Sequence, residues 1–318
     1  MNIVSTFEGS AIGKKILSRN VRKLTTIMLI ASIVIGLITS AFWYNRVFLD
    51  GERRFWNAIN TSMSTPSVVR TLTQGGSGNQ VVQDFRFHYA PQRVIENNVE
   101  FTTKSATEDL TVRTEGRVYP EEQYLRYTVF DNVDASGDPI SNIDDLIGNW
   151  AFQEGQGPNV PAEDNRIAFL SEYVSLAVFG NYDAEYRAQI IKELRDNNVY
   201  SGQLDRPIEQ EVENEDGTTE EVLVYQVRVQ LQDYARILND SFMKAGFGSF
   251  PPLDPENYRE GQDVTSQITV SKKNGTIMQI EFGGRQEVYS NYGVIKNIEK
   301  PGYDRTVEEL QAAVQERL

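Results

Sequence analysis

Leu24 to Asn45 is the stretch that most constrains this chain. It reads LTTIMLIASIVIGLITSAFWYN, 22 residues without a charge. As a helix it would reach roughly 33 Å, enough for a hydrocarbon layer of about 30 Å. In lipid, backbone groups must bond within their own segment, so a lone span has to be helical. Trp43 and Tyr44 fall at its C-terminal edge, where amphipathic rings favour the headgroup layer. Lys14, Lys15, Arg19, Arg22 and Lys23 precede it against one acid, Glu8, a net charge of +4. That bias keeps an N-terminus in the cytoplasm. The downstream flank mixes Arg46, Arg53 and Arg54 with Asp50 and Glu52.

A cleaved signal peptide is the competing reading. Ile27 to Ile38 has the length of its apolar core, and Thr39-Ser40-Ala41 resembles its cleavage site. Phe42-Trp43-Tyr44 carries apolar character past that point, and the leader would be long, so an uncleaved anchor is preferred. With no cysteine, attachment of the lipoprotein kind is excluded. The organisation expected is a basic cytoplasmic tail (1–23), a transmembrane helix (24–45), an extracytoplasmic antiparallel-sheet domain (46–302) and a C-terminal helix (303–318). The localisation expected is a single-pass cell-membrane protein with its main domain outside the cytoplasm.

From residue 24 onward the chain holds 26 basic and 44 acidic residues, a charge of −18. Such a body repels phosphate backbones, which argues against nucleic acid as a partner. Zero cysteines and one histidine remove the common zinc, haem and thiol chemistries.

Past the span, Phe48, Phe55, Trp56 and Ile59 keep helical spacing until Thr65-Pro66. The period then changes to two. Ser67 to Leu72 is a first strand, followed by a glycine-rich turn at 75–79. In Val81 to Tyr89 the odd positions are Val81, Gln83, Phe85, Phe87 and Tyr89, and the even ones Val82, Asp84, Arg86 and His88. The pattern repeats with Val99, Phe101 and Thr103, with Leu110, Val112, Thr114 and Val118, and with Leu125, Tyr127 and Val129. Alternation with short connections predicts an antiparallel sheet with one wet and one covered face. The polar loop Asp131 to Asp145 fits the first half of a calcium loop, but Ile143 stands where a bidentate Glu is required. After a breaker-rich linker at 155–165, two helices are predicted, one with Ile167, Leu170, Val174, Ala177 and Val178, the other with Tyr186, Ile190, Ile191 and Leu194.

A second block begins near Val199. The acidic segment 208–221 contains the turn signal Asp216-Gly217. Its return strand sets Leu223, Tyr225, Val227, Val229 and Leu231 against Val224, Gln226, Arg228 and Gln230. A helix over Asp233–Ala245 follows, then a hairpin through Asn274-Gly275 and a strand over Gln286–Ser290. Thr306 with Glu309 predicts a capping box for a last helix carrying Val307, Leu310, Val314 and Leu318 on one face.

No nucleophile elbow, phosphate loop, zinc-protease helix or dinucleotide fingerprint occurs in the sequence. His88 falls on a polar strand face, where a lone histidine is ordinarily an exposed surface residue. A two-carboxylate site has no local spacing signature and would leave no trace. The expectation is a protein without enzymatic chemistry, metal or cofactor.

A helix, a run of amphipathic strands, helices in the middle and then more strands is an order that resembles the LolA-like fold. That group holds periplasmic lipoprotein carriers and the mycobacterial LppX- and LprG-type lipid-binding lipoproteins. The resemblance covers 52–300 and is strongest from Val222 to Gly293, where a strand, a helix starting at Asp233-Tyr234 and the Asn274-Gly275 hairpin precede Tyr-Ser-Asn-Tyr-Gly at 289–293. It implies an α+β domain: a curved antiparallel half-barrel covered on one face by helices over an apolar cavity. Such carriers are soluble or lipid-tethered, whereas this chain reads as tied by a helix. The covered faces carry Phe85, Phe87, Tyr89, Phe101, Tyr127, Tyr225, Met278, Ile280 and Phe282. Aromatic and Met-rich concave faces host apolar ligands, and they equally form ordinary cores. Two readings stay open: a membrane-anchored module binding a lipid or other apolar ligand, and a structural or interaction protein of the envelope using the acidic hairpin 208–221 or the C-terminal helix.

Overall fold

Strands hold more of the described residues than helices do in the domain beyond the apolar stretch, as the alternation requires. The computed structural model describes residues 28, 30, 32–40, 49–76, 78–154, 175–213, 217–246 and 255–317. The chain divides into two units, 1–52 and 53–318. In the first, residues 32–40 are helical, and Ile33, Val34, Ile35, Leu37 and Ile38 are all exposed. Among the described residues no helix is long and apolar enough to cross a membrane. The rest of the predicted span, 24–27, 29, 31 and 41–45, lies outside them.

The second unit begins within helix α1 (Leu49–Ser62) and continues into strands β1 (Ser67–Gly76), β2 (Asn79–His88), β3 (Val94–Lys104), β4 (Glu108–Tyr119), β5 (Glu122–Asp134) and β6 (Ala151–Glu154). Helix α2 (Ala184–Asp196) leads to β7 (Tyr200–Gly202), β8 (Ile208–Glu213) and β9 (Thr219–Gln230). Helix α3 (Leu231–Lys244) precedes β10 (Asp263–Ser271), β11 (Ile277–Phe282) and β12 (Arg285–Ser290); a two-residue β13 (Arg305–Thr306) and α4 (Val307–Gln315) end the chain. The strands form one open sheet in the order β13-β6-β5-β4-β3-β2-β1-β12-β11-β10-β9-β7, with β8 also on β9. Every pairing is antiparallel except β13 with β6. The domain is therefore α+β with a large antiparallel sheet, as expected.

One face of the central strands is dry. Phe55, Trp56, Ile59 and Met63 of α1 pack with Phe85, Phe87, Ile95, Tyr225, Val227, Ile268 and Ile280 of the sheet and with Tyr234, Ile237 and Leu238 of α3. Burying each such aliphatic or aromatic side chain contributes about 1.5–3 kcal/mol. Helix α2 adds Ile190 and Leu194, and its start is fixed by Asp183, whose carboxylate accepts the Tyr186 N–H at 2.8 Å. A smaller cluster at the β5–β6 end joins Leu125, Ile143, Leu146 and Ala151 to Val307, Leu310 and Val314 of α4. Ile143, the residue out of place in a calcium loop, is a core residue.

The structure corrects four sequence readings. Ser175 to Gly180 is not helical; Ala177 and Val178 are buried in extended chain instead. Contacts between distant segments override the helical spacing there, with the Gly180 N–H donating to Ser62 O and the Tyr182 N–H to Met63 O. Residues 155–174 lie outside the described chain. On β5, a bulge opposite Arg113/Thr114 pairs Thr114 with Tyr127 and Val112 with Phe130, so Phe130 rather than Val129 joins the apolar face. Val224, placed with the polar residues of its strand, is buried, as is Val222. His88 does lie with Arg86 and Asp84 on the wet face, yet it is only 4% exposed.

Candidate functional site

Strand β2 sets Phe85, Phe87 and Tyr89 in a row, because residues two apart share a face. The rings form a ladder: Phe85 to Phe87 at 5.9 Å and Phe87 to Tyr89 at 6.2 Å, the second pair nearly parallel at 8°. The ladder runs from the core to a small cavity against α3, lined by Val68, Arg70, Phe87, Tyr89, Leu238 and Phe242 among others. Its volume is about 20 Å³, room for about one water. Tyr89 also borders a second, open space of about 760 Å³. This groove lies at the ends of the β2–β3 and β4–β5 hairpins, between Pro91, Arg93, Tyr119, Glu122, Phe152 and Lys300.

Aromatic rings build the wall of the groove. Tyr124 meets Tyr119 edge-on at 5.9 Å and Phe152 at 5.5 Å, and Phe152 stacks on the exposed Tyr303 at 4.6 Å. Lys300 stands 5.4 Å over the Tyr119 ring and pairs with Glu122. Burial, aided by a hydrogen bond to Glu122, pushes the Tyr124 hydroxyl up to about 12. Burial likewise holds Tyr89, Tyr234 and Tyr289 above the ordinary tyrosine range, so these hydroxyls act as neutral hydrogen-bonding groups.

Beside the small cavity the dry face carries charge. Arg70 on β1 faces Glu287 on β12 at 3.8 Å, and Arg285 reaches the same carboxylate at 2.7 Å. Ser175 and Tyr289 donate to Glu287 at 2.8 and 2.5 Å, and the Tyr234 hydroxyl donates to Ser175 O at 2.5 Å. This polar cluster was not identified from the sequence. A signal for it exists: Arg70 alternates with Val68 and Leu72, and Glu287 with Tyr289, so both charges occupy inward positions of their strands.

The nine residues expected to line an apolar site separate into groups. Phe85, Tyr225 and Ile280 are fully buried in the main core, where they touch neither space just described. Phe87 and Tyr89 line the small cavity. Phe282 is half-buried and packs on the main core, with Arg285 5.5 Å over its ring. Tyr127 packs on the α4 cluster, Met278 is half-buried, and Phe101 is exposed toward the far end of β3.

The chain is similar to the crystal structure of LprF from Mycobacterium bovis, with 13% identity over 79% of this chain and 97% of that one and a TM-score of 0.35. It is also similar to a beta-barrel-like protein of domain of unknown function DUF1849 from Brucella abortus, with 9% identity, coverage of 72% and 96%, and a TM-score of 0.18. At these TM-scores no ligand or residue role is carried across. No family model and no curated protein matches the sequence.

Proposed function

We propose that this chain is a membrane-anchored binding module without enzymatic activity. Its sheet domain lies outside the cytoplasm, and its ligand is a lipid or other apolar molecule with a polar end. The observation that carries this reading is the double position of Tyr89, at the end of a ring ladder from the core and on the rim of a 760 Å³ groove. That volume falls in the range of about 300–1,000 Å³ usual for ligand sites. The rings of Tyr119 and Phe152 suit an apolar body, while Arg93, Glu122 and Lys300 suit a polar end. A cavity of 20 Å³ will not take an acyl chain as it stands, so the groove is the primary contact. The anchor is supported by the uncharged stretch 24–45 and by the exposed apolar side chains of the helical 32–40.

The test is photocrosslinking of the full-length chain with a photoactivatable fatty-acid analogue, followed by peptide mapping. Adducts on peptides holding Tyr89, Tyr119 or Phe152, reduced by Phe152→Ala, are the expected result. Labelling confined to 24–45 would overturn the ligand reading.

A second reading, an envelope interaction protein, is favoured by β8. All six residues of that strand are exposed, and its acids Glu209, Glu211 and Glu213 stand next to Glu220 and Glu221 of β9. The apolar face of α4 is already buried within the domain, which directs this reading to the acidic hairpin. Charge reversal at Glu211 and Glu213 should then release a pull-down partner; retention of every partner counts against it.

A further inference from the structure

The wet face of the sheet holds a pocket unrelated to the groove. It has a volume of about 230 Å³ and is lined by Ser67, Val69, Arg86, His88, Asn291 and Lys296 among others. The chain wraps over it after β12. Asn291 and Gly293 take positive φ, 51° and 74°, which turns the backbone back across the start of β1. The strap is fastened there: the Gly293 N–H donates to Ser67 O at 2.9 Å, and the Ser67 hydroxyl donates to Val294 O at 2.7 Å. The pocket is thus built by the fold.

Its charge is opposite to that of the chain, which is −14 overall. No acidic residue lines it among the described residues, while Arg86, His88 and Lys296 all do. The Arg86 and Lys296 side chains make no hydrogen bond or ion pair among the described residues. On the same face of the neighbouring strands, Glu96 pairs with His88 and Arg117, and Glu115 with Arg117 and Arg126. His88 is nine-tenths buried, and its Nε2 lies 3.2 Å from Glu96 Oε2. A carboxylate only accepts, so Nε2 carries the hydrogen, and the buried Nδ1 is left without a hydrogen-bond partner.

We propose that this pocket binds a phosphate group, held by the Arg86 guanidinium, the Lys296 ammonium and the Asn291 amide, with His88 as its inner wall. The planar fork of arginine matches phosphate oxygens, and lysine adds a point charge. A monoester phosphate carries nearly two negative charges near neutral pH, which matches the two cations at the pocket; Glu96, across from Arg86 on the next strand, offsets the Arg86 charge through space without forming an ion pair with it. A free phosphate and a phospholipid head share this chemistry. The proposal is independent of the groove and of its ligand.

The chain has one histidine, so selective ¹⁵N labelling gives a single imidazole spin system as a local reporter. Full-length protein is titrated with inorganic phosphate, with acetate at matched ionic strength as control. A saturable shift with phosphate and not with acetate is expected. Arg86→Gln with Lys296→Gln should weaken it at least tenfold, and both positions are exposed enough for the variant to fold. No saturation by about 10 mM phosphate, where a millimolar site would be mostly filled, overturns binding of the free ion. Vesicles of phosphatidylcholine with and without phosphatidic acid then separate the sources. A shift only with phosphatidic acid assigns the pocket to a lipid head, and no shift with either probe rejects the proposal.

Discussion

Arg70 and Glu287 face each other at 3.8 Å across the dry side of the sheet, with side chains 1% and 0% exposed. They sit on adjacent strands in a diagonal relation, since Arg70 pairs with Tyr289 and Leu72 with Glu287. The guanidinium also lies over two rings of the ladder, 4.7 Å from Phe85 and 5.4 Å from Phe87. Removing two charges from water costs several kcal/mol each, so a buried pair adds little net stability while making its own disruption costly. Its structural effect is to tie the chain at Ser175 to β12 through the same carboxylate.

Truncating that carboxylate should therefore be severe. Glu287→Ala leaves two guanidinium groups, the Ser175 hydroxyl and the Tyr289 hydroxyl without their common acceptor. A loss of about 3–5 kcal/mol is expected. At roughly 2–4 °C per kcal/mol, thermal melts of the full chain should fall by about 6–20 °C. A loss under about 1 kcal/mol would mean that water reaches the site and that the cluster is not buried as described.

Glu96 couples the wet face to pH. The His88 hydrogen bond, opposed by burial and helped by the charges of His88, Arg117 and Arg86, holds its carboxyl below the ordinary value of 4.5. A folded value below the unfolded one means that the unfolded chain binds the proton first on acidification. The contribution is present above the ordinary value and is lost as pH falls through the depressed one. Replacing His88 by Phe should move the Glu96 titration, followed by its ¹³C carboxyl signal, up toward 4.5. An unchanged midpoint would assign the depression to the arginines instead.

Much of this fold is written locally. The period-two pattern of Val81–Tyr89 requires only that neighbouring side chains point to opposite faces, and the Asn274-Gly275 turn requires only the positive φ of 66° that Gly275 adopts. Phe87 and Tyr89 were legible as members of one face for the same reason. What escaped depends on distant partners. The bulge that exchanges Val129 for Phe130 is set by the pairing of β4 with β5. The burial of His88 follows from Glu96 on the next strand and from a strap more than 200 residues away. The spacing of Val174, Ala177 and Val178 suggests a helix, yet Ser62 O, Met63 O and Glu287 capture the chain from Ser175 to Tyr182.

Gly116 tests how closely two strands meet on the dry face. It pairs with Asn97, and a Cβ placed on it would lie 2.0 Å from Asn97 Oδ1 and 2.9 Å from Cγ. Asn97 is buried, so its amide has little room to swing aside. Gly116→Ala should cost about 1–3 kcal/mol by overpacking. In an Asn97→Ala background the same change should be neutral or stabilising, since alanine loses less backbone freedom than glycine. A double-mutant cycle in denaturant reads the coupling, and additivity of the two changes would show that the contact does not exist.

The end of the chain offers a milder perturbation. Thr306 and Glu309 form a reciprocal cap on α4: Thr306 N–H donates to the Glu309 carboxylate at 2.7 Å, and Glu309 N–H to the Thr306 hydroxyl at 3.2 Å. The helix they start covers Leu125, Ile143, Leu146 and Ala151 with Val307, Leu310 and Val314. Deleting it would expose that cluster and confound any search for a partner with unfolding. Thr306→Ala removes the cap alone and should cost about 1 kcal/mol, whereas Thr306→Ser should retain most of it. The loss should be local, because the main core of α1, α3 and the central strands does not include these residues. Amide exchange in α4 should accelerate about fivefold while exchange in β9 and β10 stays unchanged. Equal acceleration in both places would show that the helix and the central sheet open as one unit.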